Sequence, residues 1–126
     1  MLFATTPEFD RDFKKLAKKF KSLIGEKGDG DFDLLQKYIK GFHTIGIRAD
    51  DPVEIKGACG EAYKSYKVRK IPCKSLPGRG SRSGLRVIYV YEPSLEKITF
   101  IEIYFKADND NEDKTRLKDF IKGIGG

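Results

Sequence analysis

Two alternating segments near the C-terminal end, joined by a short turn, constrain the fold more than any other feature of the sequence. The first, "LRVIYVY", ends at Tyr91, and the second, "KITFIEIYF", begins at Lys97. Successive side chains of a strand point to opposite faces, so each segment has two sides. The alternation predicts one side made of Leu85, Val87, Tyr89 and Tyr91 in the first strand, and of Thr99, Ile101, Ile103 and Phe105 in the second. A link as short as "EPSLEK" predicts an antiparallel hairpin.

A third segment of the same kind, "YKSYKVRKIPC", begins at Tyr63 and is rich in β-branched and aromatic residues. Three such segments in succession form an antiparallel meander, because a parallel βαβ unit would need a helix between its strands. The short apolar stretch "MLFAT" predicts one more strand. We therefore expect an antiparallel four-stranded sheet.

Helical periodicity precedes these strands. Thr6 and Pro7 suit an N-cap and a first helical residue, and Gly25 ends the segment. Between them, apolar residues recur at intervals of three and four: Phe9, Phe13, Leu16, Ala17, Phe20, Leu23 and Ile24. A second helix from about Asp31 to Phe42 predicts a helical hairpin with the first. We expect these helices to cover one face of the sheet through Phe9, Phe13, Leu16, Phe20 and Leu35.

The C-terminal segment "NDNEDKTRLKDFIKGI" predicts a last helix. Its first turn is acidic, and its apolar face consists of Leu117, Phe120, Ile121 and Ile124. No repeat or change of composition divides the chain. The sequence therefore predicts a single α+β domain over residues 1–126, in the order β-α-α-β-β-β-α.

Charge is distributed unevenly along this chain, whose net charge is +6. Residues 62–91 contain no Asp or Glu, although the whole chain has 19. The same range contains a set of cations: Lys64, Lys67, Arg69, Lys70, Lys74, Arg79, Arg82 and Arg86. For any one of them a solvated surface charge is the favoured interpretation. For the whole set, the absence of acidic partners inside the segment favours contact with a phosphate backbone.

The alternation also predicts which way some of these cations project. Lys67 and Arg69 are two residues apart, so they lie on the same side of their strand. Because two long cations are costly inside a core, the opposite side, with Tyr66 and Val68, is expected to be buried. Arg86 lies mid-strand and is expected on the exposed face.

Several chemistries lack the residues they need. The stretch "GRGSRSG" lacks the Lys-Ser/Thr ending and the following helix of a nucleotide-binding loop, so we interpret it as a hairpin loop that carries Arg79 and Arg82. No Cys/His cluster has metal-ligand spacing and no Ser/His/Asp arrangement is visible, so we expect no metal and no cofactor. His43, the single histidine, is expected to pack or hydrogen-bond locally rather than catalyse.

The sequence also lacks membrane and secretion signals. No apolar run approaches the roughly twenty residues of a membrane span, and the N-terminus lacks the basic start and apolar core of a signal peptide. Cys59 and Cys73 are too few for a disulfide framework. We therefore expect reduced thiols and a cytoplasmic protein without a membrane partner.

The order and residues of these segments resemble the RelE/ParE toxin superfamily of bacterial toxin–antitoxin systems. The pattern is "FDRDFKKLAKKF … YKVRKIPC … GSRSGLRVIYVY … ITFIEIYFKADNDNEDKTRL", and its most specific piece is "GLRVIYVY" followed by "IEIYFKAD". The match covers nearly the whole chain in order of elements. The resemblance implies a RelE-like toxin of a type II system that cleaves mRNA on the ribosome without a metal ion. It also implies a cognate antitoxin protein as partner.

The resemblance implies a set of catalytic residues on three strands. Lysines on the family's second strand, an arginine that starts the third and a basic residue that ends the fourth correspond here to Lys67 and Arg69, Arg86, and Lys106. RNA binding is expected from four further cations: Lys70, Lys74, Arg79 and Arg82. If the strand slips or bulges, Lys70 and Lys74 are alternatives to the first pair.

The implied mechanism uses the substrate's own 2′-hydroxyl as nucleophile. Arg86 and Lys106 would stabilise the charge that develops on the phosphoryl oxygens. A lysine can act as the base only if its pKa falls, and crowding of Lys67 by Arg69 would lower it. The chain departs from the family pattern after Lys106, where it has no Tyr or His, and Tyr104 is the closest tyrosine.

Two other functions stay open at the level of sequence. A gyrase inhibitor of the ParE branch would bind a protein target without RNA chemistry, although it needs no basic catalytic set. A noncatalytic RNA-binding module would use the same basic surface, and the missing Tyr or His favours it.

Overall fold

Five strands and three helices make up the described part of the chain, residues 1–25, 28–46, 51–55, 62–76, 83–109 and 111–124 of a computed structural model. In chain order these are β1 (Leu2–Thr5), α1 (Pro7–Lys19), α2 (Asp31–Ile45), β2 (Val53–Glu54), β3 (Lys64–Val68), β4 (Leu85–Glu92), β5 (Lys97–Phe105) and α3 (Lys114–Gly123). Short 3₁₀ turns follow α1 and link β4 to β5.

The strands form one mixed sheet in the order β1-β5-β4-β3-β2. Strands β2 to β5 are antiparallel neighbours, but β1 runs parallel to β5, with Leu2 opposite Lys97. The prediction of an antiparallel four-stranded sheet is therefore wrong in two respects, since a fifth strand, β2, is present and one pairing is parallel. Two helices separate β1 from the other strands, so no hairpin sets its direction. β2 has two residues, too few for a visible alternation.

One face of the sheet packs against α1, α2 and the turn between them. The core of this face contains Phe9, Phe20 and Leu35 from the helical side. Phe13 and Leu16 are partly buried against it, which confirms the predicted helical face. At the start of α1, the Thr6 hydroxyl accepts a hydrogen bond from the Phe9 amide at 3.1 Å, as a helix cap does.

The alternation of β4 is confirmed. Leu85, Val87 and Tyr89 lie in the core under α1 and α2, whereas Ile88 and Val90 face the opposite side. On that side they pack with Leu117 and Ile121 of α3, as the apolar face of the last helix predicts.

The predicted alternation of β5 is wrong before its middle, because Thr99 and Ile101 lie on the α3 side and Phe100 lies in the core under α1 and α2. The register shifts between β4 and β5, because Ile88 is opposite Glu102 while Tyr89 is opposite Phe100. Ile101 is the extra residue of this β-bulge, and it packs under α3 instead of sharing a side with Ile103 and Phe105. The bulge leaves Glu102 and Tyr104 on the α3 side of the sheet, where Tyr104 is directly opposite Arg86.

Candidate nucleic-acid interface

The strand register brings cations from β3, β4 and β5 to one end of the sheet. Val68, the last residue of β3, pairs with Val87, so Arg69 lies just beyond it, beside Arg86. The Lys106 amide donates to the Gly84 carbonyl at 2.9 Å, one step past the final pair of β4 and β5. We call Arg69, Arg86 and Lys106 the basic end of the sheet.

Arg86 is anchored by the backbone rather than by an acid. Its Nη1 donates hydrogen bonds to the carbonyl oxygens of Arg69, at 2.9 Å, and Leu85, at 3.1 Å. A guanidinium has five N–H donors, and those on Nε and Nη2 have no partner among the residues that the structure describes. The side chain is partly exposed, on the face opposite the helical core, as predicted. Arg86 is thus fixed in direction and retains donors for an anion.

Lys67 lies two residues before Arg69 and is paired with an acid. Its Nζ is 3.0 Å from Oε2 of Glu112, which precedes α3, and 5.9 Å from the centre of the Tyr104 ring. On the other side of β3, Tyr66 and Val68 are buried, as predicted. Burial by itself lowers the pKa of Lys67, but hydrogen bonds to Glu112 and Tyr104 outweigh it, and the pKa is raised above its usual value. The expectation that crowding by Arg69 lowers this pKa is wrong, because the hydrogen bonds to Glu112 and Tyr104 raise it.

Glu112 is the functional candidate that the sequence did not reveal. Its Oε2 also accepts a hydrogen bond from the Tyr104 hydroxyl at 3.3 Å, so one carboxylate oxygen joins β3 to β5. Burial raises its pKa, but its own amide and Lys67 outweigh burial, and the pKa is lowered. In the sequence, Glu112 belongs to an acidic run that predicts only the start of a helix. Its distance of 45 residues from Lys67 hides the pairing.

Arg69 and Lys106 are more exposed than Lys67. The Nε of Arg69 lies 3.9 Å from Oδ1 of the buried Asp51, and half of the Arg69 side chain is exposed to solvent. The same carboxylate accepts hydrogen bonds from the Arg69 and Lys70 amides, at 2.9 and 3.0 Å, and so fixes the chain where it leaves β3. Two cations of the segment without acids, Lys67 and Arg69, are therefore paired in space with Glu112 and Asp51 from outside it.

Two of the remaining predicted cations, Lys70 and Lys74, lie elsewhere. Lys70 and Lys74 border a separate, apolar groove of about 370 Å³ beside α2, lined by Leu34, Leu35, Tyr38, Ile71 and Pro72. Arg79 and Arg82 lie outside the described residues. Within the predicted set, a hydrogen bond joins Arg86 to the backbone of Arg69, whereas Lys67 contacts Glu112 and Tyr104.

Two further observations concern the described ranges. No three His, Cys, Asp or Glu side chains there are grouped as a metal site would require. None of the helices there combines the length and the apolar character that crossing a bilayer requires.

Comparison with solved structures finds similar chains. A chain of the archaeal RelE–RelB complex from Pyrococcus horikoshii OT3 has a TM-score of 0.48 and 10% identity, over 83% of this chain and 93% of that one. A mutant of the E. coli toxin RelE in the free state has a TM-score of 0.47 and 12% identity, over 98% and 95%. A conserved hypothetical protein from Helicobacter pylori has a TM-score of 0.45 and 20% identity, over 86% and 98%. No family model and no curated protein matches the sequence.

Proposed function

We propose that this protein is the toxin of a type II toxin–antitoxin system, and that it cleaves mRNA on the ribosome without a metal ion. The family resemblance of the sequence supports the class. The observation that carries the proposal is the state of Arg86, held by two backbone carbonyls with donors on Nε and Nη2 still available.

Arg86 would act on the charge that cleavage creates. When the 2′-hydroxyl of the RNA attacks the adjacent phosphorus, negative charge grows on the phosphoryl oxygens. A guanidinium with parallel N–H donors binds such oxygens through charge-assisted hydrogen bonds, and its anchoring lowers the cost of orienting it. Arg69 and Lys106 add positive charge at the same end of the sheet. The products would carry a 2′,3′-cyclic phosphate and a 5′-hydroxyl.

Lys67 has a different part in this proposal from the one that the sequence suggested. Because its pKa is raised, it stays protonated at neutral pH and contributes charge rather than accepting a proton. Lys67 therefore does not supply the base, which favours a noncatalytic RNA-binding module as the second candidate function.

The proposed partner is a cognate antitoxin. One of the similar structures is a RelE–RelB complex, and an equivalent partner here would cover the basic end of the sheet with an acidic or amphipathic segment. Such a protein would act in the cytoplasm, where its substrate on the ribosome is found. Co-expression of the antitoxin should restore growth to cells that produce the toxin.

The test is expression in bacteria with mapping of mRNA 5′ ends, and with gyrase-dependent DNA breaks measured in parallel. The wild-type protein should arrest growth and produce new 5′ ends within translated mRNA. Arg86→Ala should lose both effects while remaining folded. The matched control, Arg11→Ala on the exposed side of α1, should retain them. DNA breaks without mRNA cleavage would instead indicate a gyrase inhibitor, and ribosome binding without cleavage a noncatalytic module.

A further inference from the structure

The proposed reaction needs a group that removes the proton of the 2′-hydroxyl, and neither Lys67 nor the arginines of the site supply one. Lys67 is held in its charged form by Glu112 and Tyr104. An arginine cannot be deprotonated in a protein. The base can therefore come from a residue outside the set that the family resemblance implies.

Glu112 lies next to this site and retains an available oxygen. Its Oε2 receives the hydrogen bonds from Lys67, at 3.0 Å, and Tyr104, at 3.3 Å. The amide of Glu112 itself also bonds to this carboxylate, but Oε1 makes no hydrogen bond to any other described residue. The carboxylate is neither fully buried nor fully open, since 16% of the Glu112 side chain and 22% of the Lys67 side chain are exposed. One oxygen is thus fixed, and the other can accept a proton.

The position of Glu112 is set by the sheet and not by the loop alone. The amide of the next residue, Asp113, donates to Oε1 of Glu102 on β5 at 2.8 Å. The Asp113 side chain in turn accepts from the amides of Thr115 and Arg116 and so caps α3. Glu112 is therefore held between a β5 side chain and a capped helix, which is the kind of support that a precisely positioned catalytic group requires.

Acidic and basic side chains both surround Glu112: Asp12, Glu102, Asp108 and Asp113 line the same cavity, and so do Lys15 and Arg116. A lone carboxylate would repel an RNA phosphate, but the Lys67 ammonium offsets that charge at 3.0 Å. The lowered pKa keeps the carboxylate ionised at neutral pH, and it also makes Glu112 a weaker base than a free glutamate. Arg86 lies opposite Tyr104, the second hydrogen-bond partner of Glu112, so Tyr104 links the strand beside Arg86 to the carboxylate.

We propose that Glu112 is the general base of the cleavage reaction, an inference that rests on the proposed function. The 2′-O–H bond breaks and its proton passes to Oε1 of Glu112, while the 2′-oxygen forms a bond to phosphorus. The bond between phosphorus and the 5′-oxygen breaks, and that oxygen takes a proton from water. The protonated carboxyl then gives its proton to the hydroxide that is left, which restores Glu112. Lys67 and Tyr104 act as positioning residues through Oε2.

The experiment is single-turnover cleavage of ribosome-bound mRNA by the purified protein, with binding measured separately. Glu112→Gln keeps the shape of the side chain but cannot accept a proton, so its rate should fall by about 10²–10⁴-fold. Its affinity for the programmed ribosome should be unchanged or higher, because a negative charge is removed. Asp119→Asn, the matched change at an exposed position of α3, should cleave at the wild-type rate.

A second variant separates catalysis from structure. Glu112→Ala should be equally slow. Added formate or acetate should raise the cleavage rate of this variant at least tenfold, in a concentration-dependent manner. A Glu112→Gln protein that cleaves at or above the wild-type rate would overturn the inference and identify Glu112 as a counter-ion that shields Lys67. Loss of rate that follows loss of binding, or a Glu112→Ala protein without rescue, would overturn it too. A wild-type protein that leaves the mRNA intact would overturn the proposed function together with this inference.

Discussion

The pH dependence of folding stability offers a quantitative test at His43. The Nε2 atom of His43 lies 2.8 Å from the Tyr89 hydroxyl, and the ring packs at 4.9 Å from Tyr66 and 4.1 Å from Tyr91. Burial, with a smaller effect of the Lys64 charge, lowers the pKa of His43 from 6.5 to about 4. The local packing and hydrogen bonding expected from the sequence are confirmed.

The sign of the effect follows from this lowered pKa. The unfolded chain binds a proton near pH 6.5, whereas the folded chain resists it until about pH 4. The contribution of neutral His43 is therefore fully present above pH 6.5 and is lost as the pH falls from 6.5 to 4. The pKa difference sets an upper limit of roughly 3 kcal/mol, which partial exposure of the ring reduces to about 1–2 kcal/mol.

The assay is urea unfolding of the wild-type protein and His43→Gln between pH 4 and pH 7.5. His43 is the only histidine, so the difference between the two stability curves isolates its titration. Burial raises the pKa of Glu102, so this group favours folding as the pH falls and acts equally in both proteins. The difference should shrink by about 1–2 kcal/mol from pH 7 to pH 4.5. A difference that stays constant with pH would refute the assignment of a buried, neutral His43.

Three further sets of substitutions test the backbone around the site and its binding to the ribosome. Asp51→Ala removes the acceptor of two backbone amides after β3 and should cost about 2–3 kcal/mol in urea unfolding, whereas Asp51→Asn, which keeps one acceptor, should cost less. Gly84→Ala should cost about 1–2 kcal/mol in the same assay, because φ is +88° and a Cβ would meet a ring carbon of Phe105 at 3.1 Å. Its control is Gly123→Ala, whose added Cβ would meet nothing within 4 Å and which should be near neutral. Arg79→Ala and Arg82→Ala should each weaken binding to the programmed ribosome and lower the slope of its salt dependence by about one, and unchanged slopes would exclude phosphate contact.

Local pattern was sufficient to predict which way most strand residues face. Leu85 and Val87 differ from Arg86 in environment because side chains alternate along a strand, and this depends on no distant residue. The apolar face of α1 was predictable for the same reason, since helical spacing alone decides it. These properties placed Arg86 on the correct side of the sheet.

The parts that the sequence did not predict all depend on contacts between distant segments. The bulge at Ile101 is a property of the pairing between β4 and β5, and the sequence of neither strand predicts it. The partner of Lys67 is Glu112, which lies outside residues 62–91, the segment without acidic residues. The direction of β1 is set by the edge of β5 that it joins. Each of these three features is defined only in the folded sheet.

The claim that the RNA supplies its own nucleophile is tested most directly by replacing a single oxygen. Purified protein is incubated with ribosomes that carry an mRNA with one 2′-deoxy nucleotide on the 5′ side of the mapped cleavage point, and the products are compared with those from the all-ribose mRNA. We predict that the all-ribose mRNA yields a 2′,3′-cyclic phosphate and a 5′-hydroxyl, and that the 2′-deoxy substitution abolishes cleavage at that position. Continued cleavage of the substituted mRNA at the same bond, with a 5′-phosphate product, would contradict the mechanism.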